Sequence, residues 1–84
     1  PYIIKWGILG TSPISKTMAR AIKDSSYGKL IAIGSRSRDR AEHFKKEFGL
    51  EKHYGDYESV LSDHDIDVVY IGLPNHLHHQ WIIN

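Results

Sequence analysis

Ile8-Leu9-Gly10-Thr11-Ser12-Pro13-Ile14-Ser15 is the stretch that decides how this chain is read. An apolar run over 3–9 ends in Gly10, and a helix signal begins two residues later. That order describes a strand, a tight turn and a helix. Gly10 is placed to make the turn. Ser12 is placed to cap the helix, and Pro13 falls at the first helical position, where a missing N–H costs nothing. The helix start then offers free backbone N–H groups and a partial positive charge to an anion, and a dinucleotide pyrophosphate suits such a turn. The full glycine fingerprint is G-x-G-x-x-G/A. Only its first glycine is present; Ser12 and Ser15 take the second and third positions. An ordinary capped strand-to-helix turn has the same signature, so the rest of the chain must decide.

Working outward, Ile14, Met18, Ala21 and Ile22 recur at helical spacing, and Ser25-Ser26-Tyr27-Gly28 breaks that helix. Leu30-Ile31-Ala32-Ile33-Gly34 reads as a second strand buried on both faces. Ser37 caps a second helix with an apolar face of Ala41, Phe44 and Phe48, ended by Gly49 in the C′ position. His53-Tyr54-Gly55 suits a very short strand. Asp56 caps a short helix bearing Tyr57, Val60 and Leu61. Val68-Val69-Tyr70-Ile71 is a third strong strand, and Pro74-Asn75 is expected to open a last helix over 75–84. Alternating strands and helices specify an α/β fold, a doubly wound parallel sheet. The order expected is 3-2-1-4, with about four strands, a partial Rossmann sheet. Gly10, Ser35 and Leu73-Pro74-Asn75 would then all lie at strand C-termini, where the switch-point crevice opens.

Composition sets the outer bounds. The chain has 84 residues, no cysteine and a net charge of +1. A disulfide framework, a thiolate metal site and a cysteine nucleophile are excluded, and a cytoplasmic location is expected. The charge balance supplies no field for nucleic acid, and no apolar stretch is long enough for a membrane span. The chain begins at Pro1 and ends at Asn84 inside an expected helix, so both ends read as cuts in a longer protein.

Four segments then carry a resemblance. They are Gly7-Ile8-Leu9-Gly10-Thr11; Ser35-Arg36-Ser37-Arg38-Asp39-Arg40-Ala41-Glu42; Tyr54-Gly55-Asp56-Tyr57-Glu58; and Asp67-Val68-Val69-Tyr70-Ile71-Gly72-Leu73-Pro74-Asn75-His76-Leu77-His78. In this order and spacing the chain resembles the N-terminal domain of the Gfo/Idh/MocA oxidoreductases. The Pro-Asn-x-x-His element is the most specific part. The resemblance implies that residues 1–84 are the N-terminal part of a dinucleotide-binding domain, with the C-terminal substrate domain outside the chain. It implies a pyrophosphate loop of Gly10, Thr11, Ser12 and Ile14. Ser35 and Arg36 would meet the adenosine ribose, and Leu73, Pro74 and Asn75 would run beside the nicotinamide ribose with His78 nearby. The family's catalytic lysine stands in a Glu-Lys-Pro motif that this chain does not contain. No catalytic residue is therefore assigned here, and the chain alone is expected to be inactive. Ser12 departs from the usual second glycine; its side chain either crowds the pyrophosphate or donates a hydrogen bond to it.

The expected activity of the longer protein is hydride transfer between a nicotinamide cofactor and a sugar-like or polyol substrate. The alternative is a nucleotide-binding regulatory domain without catalysis. A flavodoxin-like domain fits poorly, because the second strand ends on arginines. NADP is expected in preference to NAD. NAD-selective sheets place Asp or Glu at the end of the second strand, whereas Ser35, Arg36 and Arg40 stand here. Arg38 reads as solvated. His76, His78 and His79 lack the further ligands of a metal site, and Asp63, Asp65 and Asp67 lack the glycine and glutamate of a calcium loop. Trp6 and Tyr70 read as packing residues. Val68–Ile71 is expected at an open sheet edge, which would make the chain a homo-oligomer.

Overall fold

The computed structural model describes residues 2–72 and 80–83. Its elements run β1 (Ile4–Leu9), α1 (Pro13–Asp24), β2 (Gly28–Gly34), α2 (Arg38–Phe48), β3 (Lys52–Tyr54), α3 (Tyr57–Leu61), β4 (Val68–Ile71) and β5 (Gln80–Ile83). They form one sheet in the order β3-β2-β1-β4-β5. The first four strands are parallel, and their order is the 3-2-1-4 expected of a doubly wound sheet.

Local chemistry explains the helix boundaries. Ser12, Ser37 and Asp56 cap α1, α2 and α3, each accepting from the backbone N–H three residues on. Such a cap satisfies a donor that has no partner within the helix. Gly49 ends α2 at φ 68°, a left-handed conformation that glycine adopts without a Cβ penalty. Lys23 Nζ, from the last turn of α1, donates to the Phe48 carbonyl at 2.7 Å and so holds the C-terminal ends of both helices together. A cation there also meets the negative end of the α2 dipole.

Helices cover both faces. On one, Ile8 and Ile33 pack with Ala19 and Ile22 of α1 and with Ala41, Phe44 and Phe48 of α2. On the other, Leu9, Ile31, Ala32 and Val69 pack with Val60 of α3 and Ile66. Phe44 is 2% exposed and Ile8 and Ile33 are 0% exposed, so each contributes the full burial of a large apolar side chain, about 1.5–3 kcal/mol. Trp6 packs against the first of these clusters and Tyr70 is buried within it, as the sequence suggests.

Three expectations are corrected. Residues 80–83 form a strand where a helix over 75–84 was expected; 73–79 and 84 lie outside the described residues. A short run containing an aromatic and two β-branched residues suits a strand, and periodicity alone does not separate it from a buried helix. The β4 edge is consequently covered: β5 pairs antiparallel with it, Val68 opposite Ile83 and Ile71 opposite Gln80. The argument for self-association through that edge falls with it. Finally, Ala21 is exposed, and the buried line of α1 is Ser15, Ala19 and Ile22, with Ile14 and Met18 half-buried at its flank. Small residues on that line let the helix lie close to the sheet.

Candidate functional site

The C-terminal ends of β1 and β2 open into one cleft. It has a volume of about 470 Å³, inside the range of small-molecule sites. Its walls are Gly10, Thr11, Ser12, Pro13, Ser35, Arg36, Ser37, Arg40 and Tyr57.

The first wall is the turn between β1 and α1. Gly10 holds φ 94°, which L side chains rarely adopt, and its N–H donates to the Gly34 carbonyl at 2.8 Å. The chain can therefore reverse at Gly10 while staying bound to the end of β2. Ser12 then starts α1, with Pro13 in the first turn. The positive end of the helix dipole faces the cleft, a suitable seat for a phosphate. Ile14 contributes differently: its side chain packs against the core, so only its backbone is available on this side.

Ser12 is held from within the fold. Its hydroxyl donates to the Gly72 carbonyl at 2.6 Å and accepts from the Ser15 N–H at 3.4 Å. Its proton is thus engaged at the end of β4. Ser15, wholly buried, also donates to the Gly72 carbonyl at 3.3 Å. The Ser12 hydroxyl is thus engaged by backbone groups of two neighbouring turns. Ser12 is 9% exposed and lines the edge of the cleft.

The second wall is the turn between β2 and α2. Ser35 is 6% exposed, and its N–H donates to the Tyr54 carbonyl at 3.1 Å. Its hydroxyl accepts from the Ser37 N–H at 3.1 Å, while the Ser37 hydroxyl accepts from the Arg40 N–H at 3.3 Å. The turn is fixed from within by this relay, and Arg36 projects from it, exposed. The Arg36 guanidinium lies over the Tyr57 ring, its Cζ 5.5 Å from the ring centroid. Arg40 follows on the first turn of α2. A smaller groove of about 290 Å³ continues between α1 and α2 and shares Thr11 and Arg40 with the cleft.

Of the residues singled out from sequence, Gly10, Thr11, Ser12, Ser35, Arg36 and Arg40 line this one cleft. Arg38, read as solvated, does not. Leu73, Pro74, Asn75 and His78 lie outside the described residues, as do His76 and His79. Among the described residues no group of histidines and carboxylates is arranged to hold a metal. No helix among them is long and apolar enough to cross a membrane. Asp63 and Asp65 are instead paired with Lys52, at 2.8 and 2.9 Å.

Tyr57, Pro13 and Ser37 also line the cleft, though the sequence reading gave them no part in binding. Tyr57 had a usable signal: it follows the cap Asp56 just beyond the C-terminal end of β3, the same side of the sheet as Gly10 and Ser35.

The walls fit an anionic dinucleotide. Among the described residues that line the cleft, two carry guanidinium groups and none carries a carboxylate. A helix start and a glycine at positive φ form one of its walls.

Comparison with known proteins agrees with this geometry. The profile of an oxidoreductase family with an NAD-binding Rossmann fold matches residues 4–84. The chain is 42% identical over 78 residues to D-xylose 1-dehydrogenase (NADP(+)) 2 of Haloferax volcanii, covering 92% of this chain and 24% of that protein. A 3-ketoreductase from Actinomadura kijaniata, solved in complex with TDP-benzene and NADP, superposes with a TM-score of 0.79 at 35% identity. It covers 90% of this chain and 24% of its own. Scyllo-inositol dehydrogenase from Lactobacillus casei, with bound NAD(H) and scyllo-inositol, superposes with a TM-score of 0.77 at 32% identity, covering 90% and 23%. The chain spans about a quarter of the length of these proteins.

Proposed function

The chain belongs to the Gfo/Idh/MocA oxidoreductase family, and on that footing we propose that it forms the adenosine side of a nicotinamide-dinucleotide site, with NADP preferred to NAD. The single observation that carries this reading is the cleft wall of Ser35, Arg36 and Arg40, free of carboxylates among its described residues. A carboxylate at the end of β2 would accept from the ribose 2′-OH and repel a 2′-phosphate. Serine and guanidinium groups instead bind a phosphate through charge-assisted hydrogen bonds.

In this reading Gly10 lets the backbone approach the pyrophosphate, and the start of α1 offers it N–H groups and a positive dipole end. Ser35 and Arg36 meet the ribose, with Arg40 beside them. Family membership assigns Leu73, Pro74 and Asn75 to the nicotinamide ribose, with His78 nearby. Residues 1–84 then constitute the N-terminal part of a dinucleotide-binding domain, and a substrate domain belongs to a longer protein. Bound there, the cofactor supplies hydride transfer to or from a sugar-like or polyol carbon. The protein residues bind and orient it.

Calorimetric titration of the chain and of Arg36→Ala with NADPH and NADH tests the reading. The substitution should weaken NADPH by roughly 1.5–3 kcal/mol, the range for a hydrogen bond to a charged group, and leave NADH nearly unchanged. Equal losses for both dinucleotides would refute the NADP preference.

A further inference from the structure

Arg36 is an exposed arginine on a turn, yet it has a defined neighbour. Its guanidinium lies over the Tyr57 ring at 5.5 Å, within the reach of a cation–π contact. No ion pair among the described residues engages it.

The two partners differ in how firmly they are held. Tyr57 opens α3, whose start is fixed by the Asp56 carboxylate accepting from the Ser59 N–H at 2.7 Å. One turn on, Val60 is wholly buried, and the Tyr57 ring packs against the same core cluster as Val60, Leu9 and Ala32. The ring is therefore a fixed platform. Arginine is a long arm that loses rotamer freedom when it binds a ligand, and a guanidinium already stacked on a ring has lost part of it beforehand.

We propose that Tyr57 is a positioning residue: its ring face holds the Arg36 guanidinium across the cleft at the end of β2, and thereby sets the preference for the 2′-phosphorylated dinucleotide over the unphosphorylated one. The proposal rests on the assignment of Arg36 to the 2′-phosphate made above. It requires the face of the ring and not the phenol hydroxyl. It also requires that Tyr57 act only through Arg36.

The test is a calorimetric cycle on the chain with NADPH and NADH. Tyr57→Phe keeps the ring and should bind both dinucleotides as the unsubstituted chain does. Tyr57→Leu should weaken NADPH by roughly 2- to 30-fold, the worth of a cation–π contact from exposed to desolvated, and leave NADH unchanged. In the Arg36→Ala background Tyr57→Leu should cost nothing further. If the leucine variant does not fold, Tyr57→Met keeps apolar bulk without a ring and should give the same pattern.

An NADPH affinity unmoved by Tyr57→Leu, with Arg36→Ala still weakening it, overturns the positioning role and leaves the Arg36 assignment standing. Loss in Tyr57→Phe equal to that in Tyr57→Leu assigns the effect to the hydroxyl and overturns it too. So does an equal loss for NADPH and NADH, or a loss that persists without Arg36. If Arg36→Ala itself leaves NADPH binding unchanged, the assignment beneath the proposal fails and the proposal fails with it.

Discussion

The Ser12 hydroxyl donates to the Gly72 carbonyl at 2.6 Å, joining the start of α1 to the residue after β4 across a buried contact. One side chain thus does two things: it caps a helix and it ties together the turns that follow the neighbouring strands β1 and β4. Replacing Ser12 with Ala removes both. Losing the cap costs about 1 kcal/mol. The Gly72 carbonyl keeps the Ser15 hydroxyl at 3.3 Å, so it is not left wholly unsatisfied. A total of about 1–2 kcal/mol is expected from urea denaturation. Dinucleotide affinity of the folded variant should be nearly unchanged, because the Ser12 proton is already given to the Gly72 carbonyl.

Gly72 is buried for a reason of space. A Cβ on it would run into the Ser15 hydroxyl and lie 3.2 Å from Tyr70 Cε2. Gly72→Ala should therefore destabilise the chain by about 1–3 kcal/mol, the usual cost of overpacking. Adding Ser15→Ala removes the nearest obstruction, and the pair should be less destabilised than the sum of the single variants. Strict additivity in denaturation would show that the helix and the strand end are not in contact there.

Ser35 offers the reciprocal test of dinucleotide choice. Ser35→Asp places a carboxylate at the end of β2, where it can still accept from the Ser37 N–H that the serine hydroxyl now holds at 3.1 Å. The turn should survive. NADPH affinity should fall by at least about tenfold while NADH affinity holds or rises, because a carboxylate repels a phosphate and accepts from a ribose hydroxyl. Isothermal titration with both dinucleotides reads this directly.

A polar network ties β3 to the loop before β4, and it titrates at both ends of the pH scale. Burial pushes the Asp63 carboxyl up, but donors from Lys52, Tyr54 and the Asp65 N–H outweigh this and hold it below its ordinary value of 3.8. The hydrogen bond to Asp63 raises the Tyr54 phenol above its ordinary 10.0. The Lys52 ammonium is raised by its bonds to Asp63 and Asp65. The depressed Asp63 stabilises fully above the unfolded carboxylate value and loses that contribution as pH falls through its folded value. The raised Tyr54 and Lys52 stabilise fully below their unfolded values and lose that contribution as pH rises through their folded ones. Asp63→Asn should flatten both limbs of a plot of urea midpoint against pH and cost about 1–3 kcal/mol at neutrality. Unchanged limbs would mean that the network does not form in solution.

Much of this was legible in the sequence because it depends on near neighbours. Ser12 with Pro13, Ser37, Asp56 and Gly49 mark helix ends by chemistry acting over three or four residues, and each does so in the structure. Strand order followed from alternation and the rules of parallel crossovers. What escaped depends on distant partners. Nothing near Ser12 indicates that its proton goes to Gly72, and nothing near Arg36 indicates that Tyr57 lies beneath it. On α1, Ala21 was misplaced and Ser15 and Ala19 were passed over, for a related reason. Ser15 and Ala19 are small, so they carry little weight in an apolar periodicity, yet small side chains are what a helix needs to lie against Gly72. At residues 80–83 the pattern was simply ambiguous between strand and helix.

Gly34 connects the cleft to the core beneath it, and its replacement is the most demanding test of this geometry. It is the last residue of β2, immediately before Ser35. A Cβ there would stand 2.5 Å from Val60 Cγ2, 3.1 Å from the Asp56 carbonyl oxygen and 3.3 Å from Leu9 Cδ2. Val60 is wholly buried and, as a β-branched residue in a helix, is held close to one rotamer. It cannot turn aside, so Gly34→Ala must push α3 off the sheet, at a cost of about 1–3 kcal/mol. Val60→Ala alone leaves a cavity and should also destabilise. Together the two changes exchange a methyl on the strand for two on the helix. Their combined cost should fall short of the sum by about 0.5–3 kcal/mol, the range for residues in contact. Rescue should remain partial, because the Asp56 carbonyl is backbone and cannot be trimmed. Since α3 also carries Tyr57, Gly34→Ala should weaken NADPH more than NADH, and Val60→Ala added to it should restore part of that difference. Additive stability losses would show that α3 does not rest on Gly34.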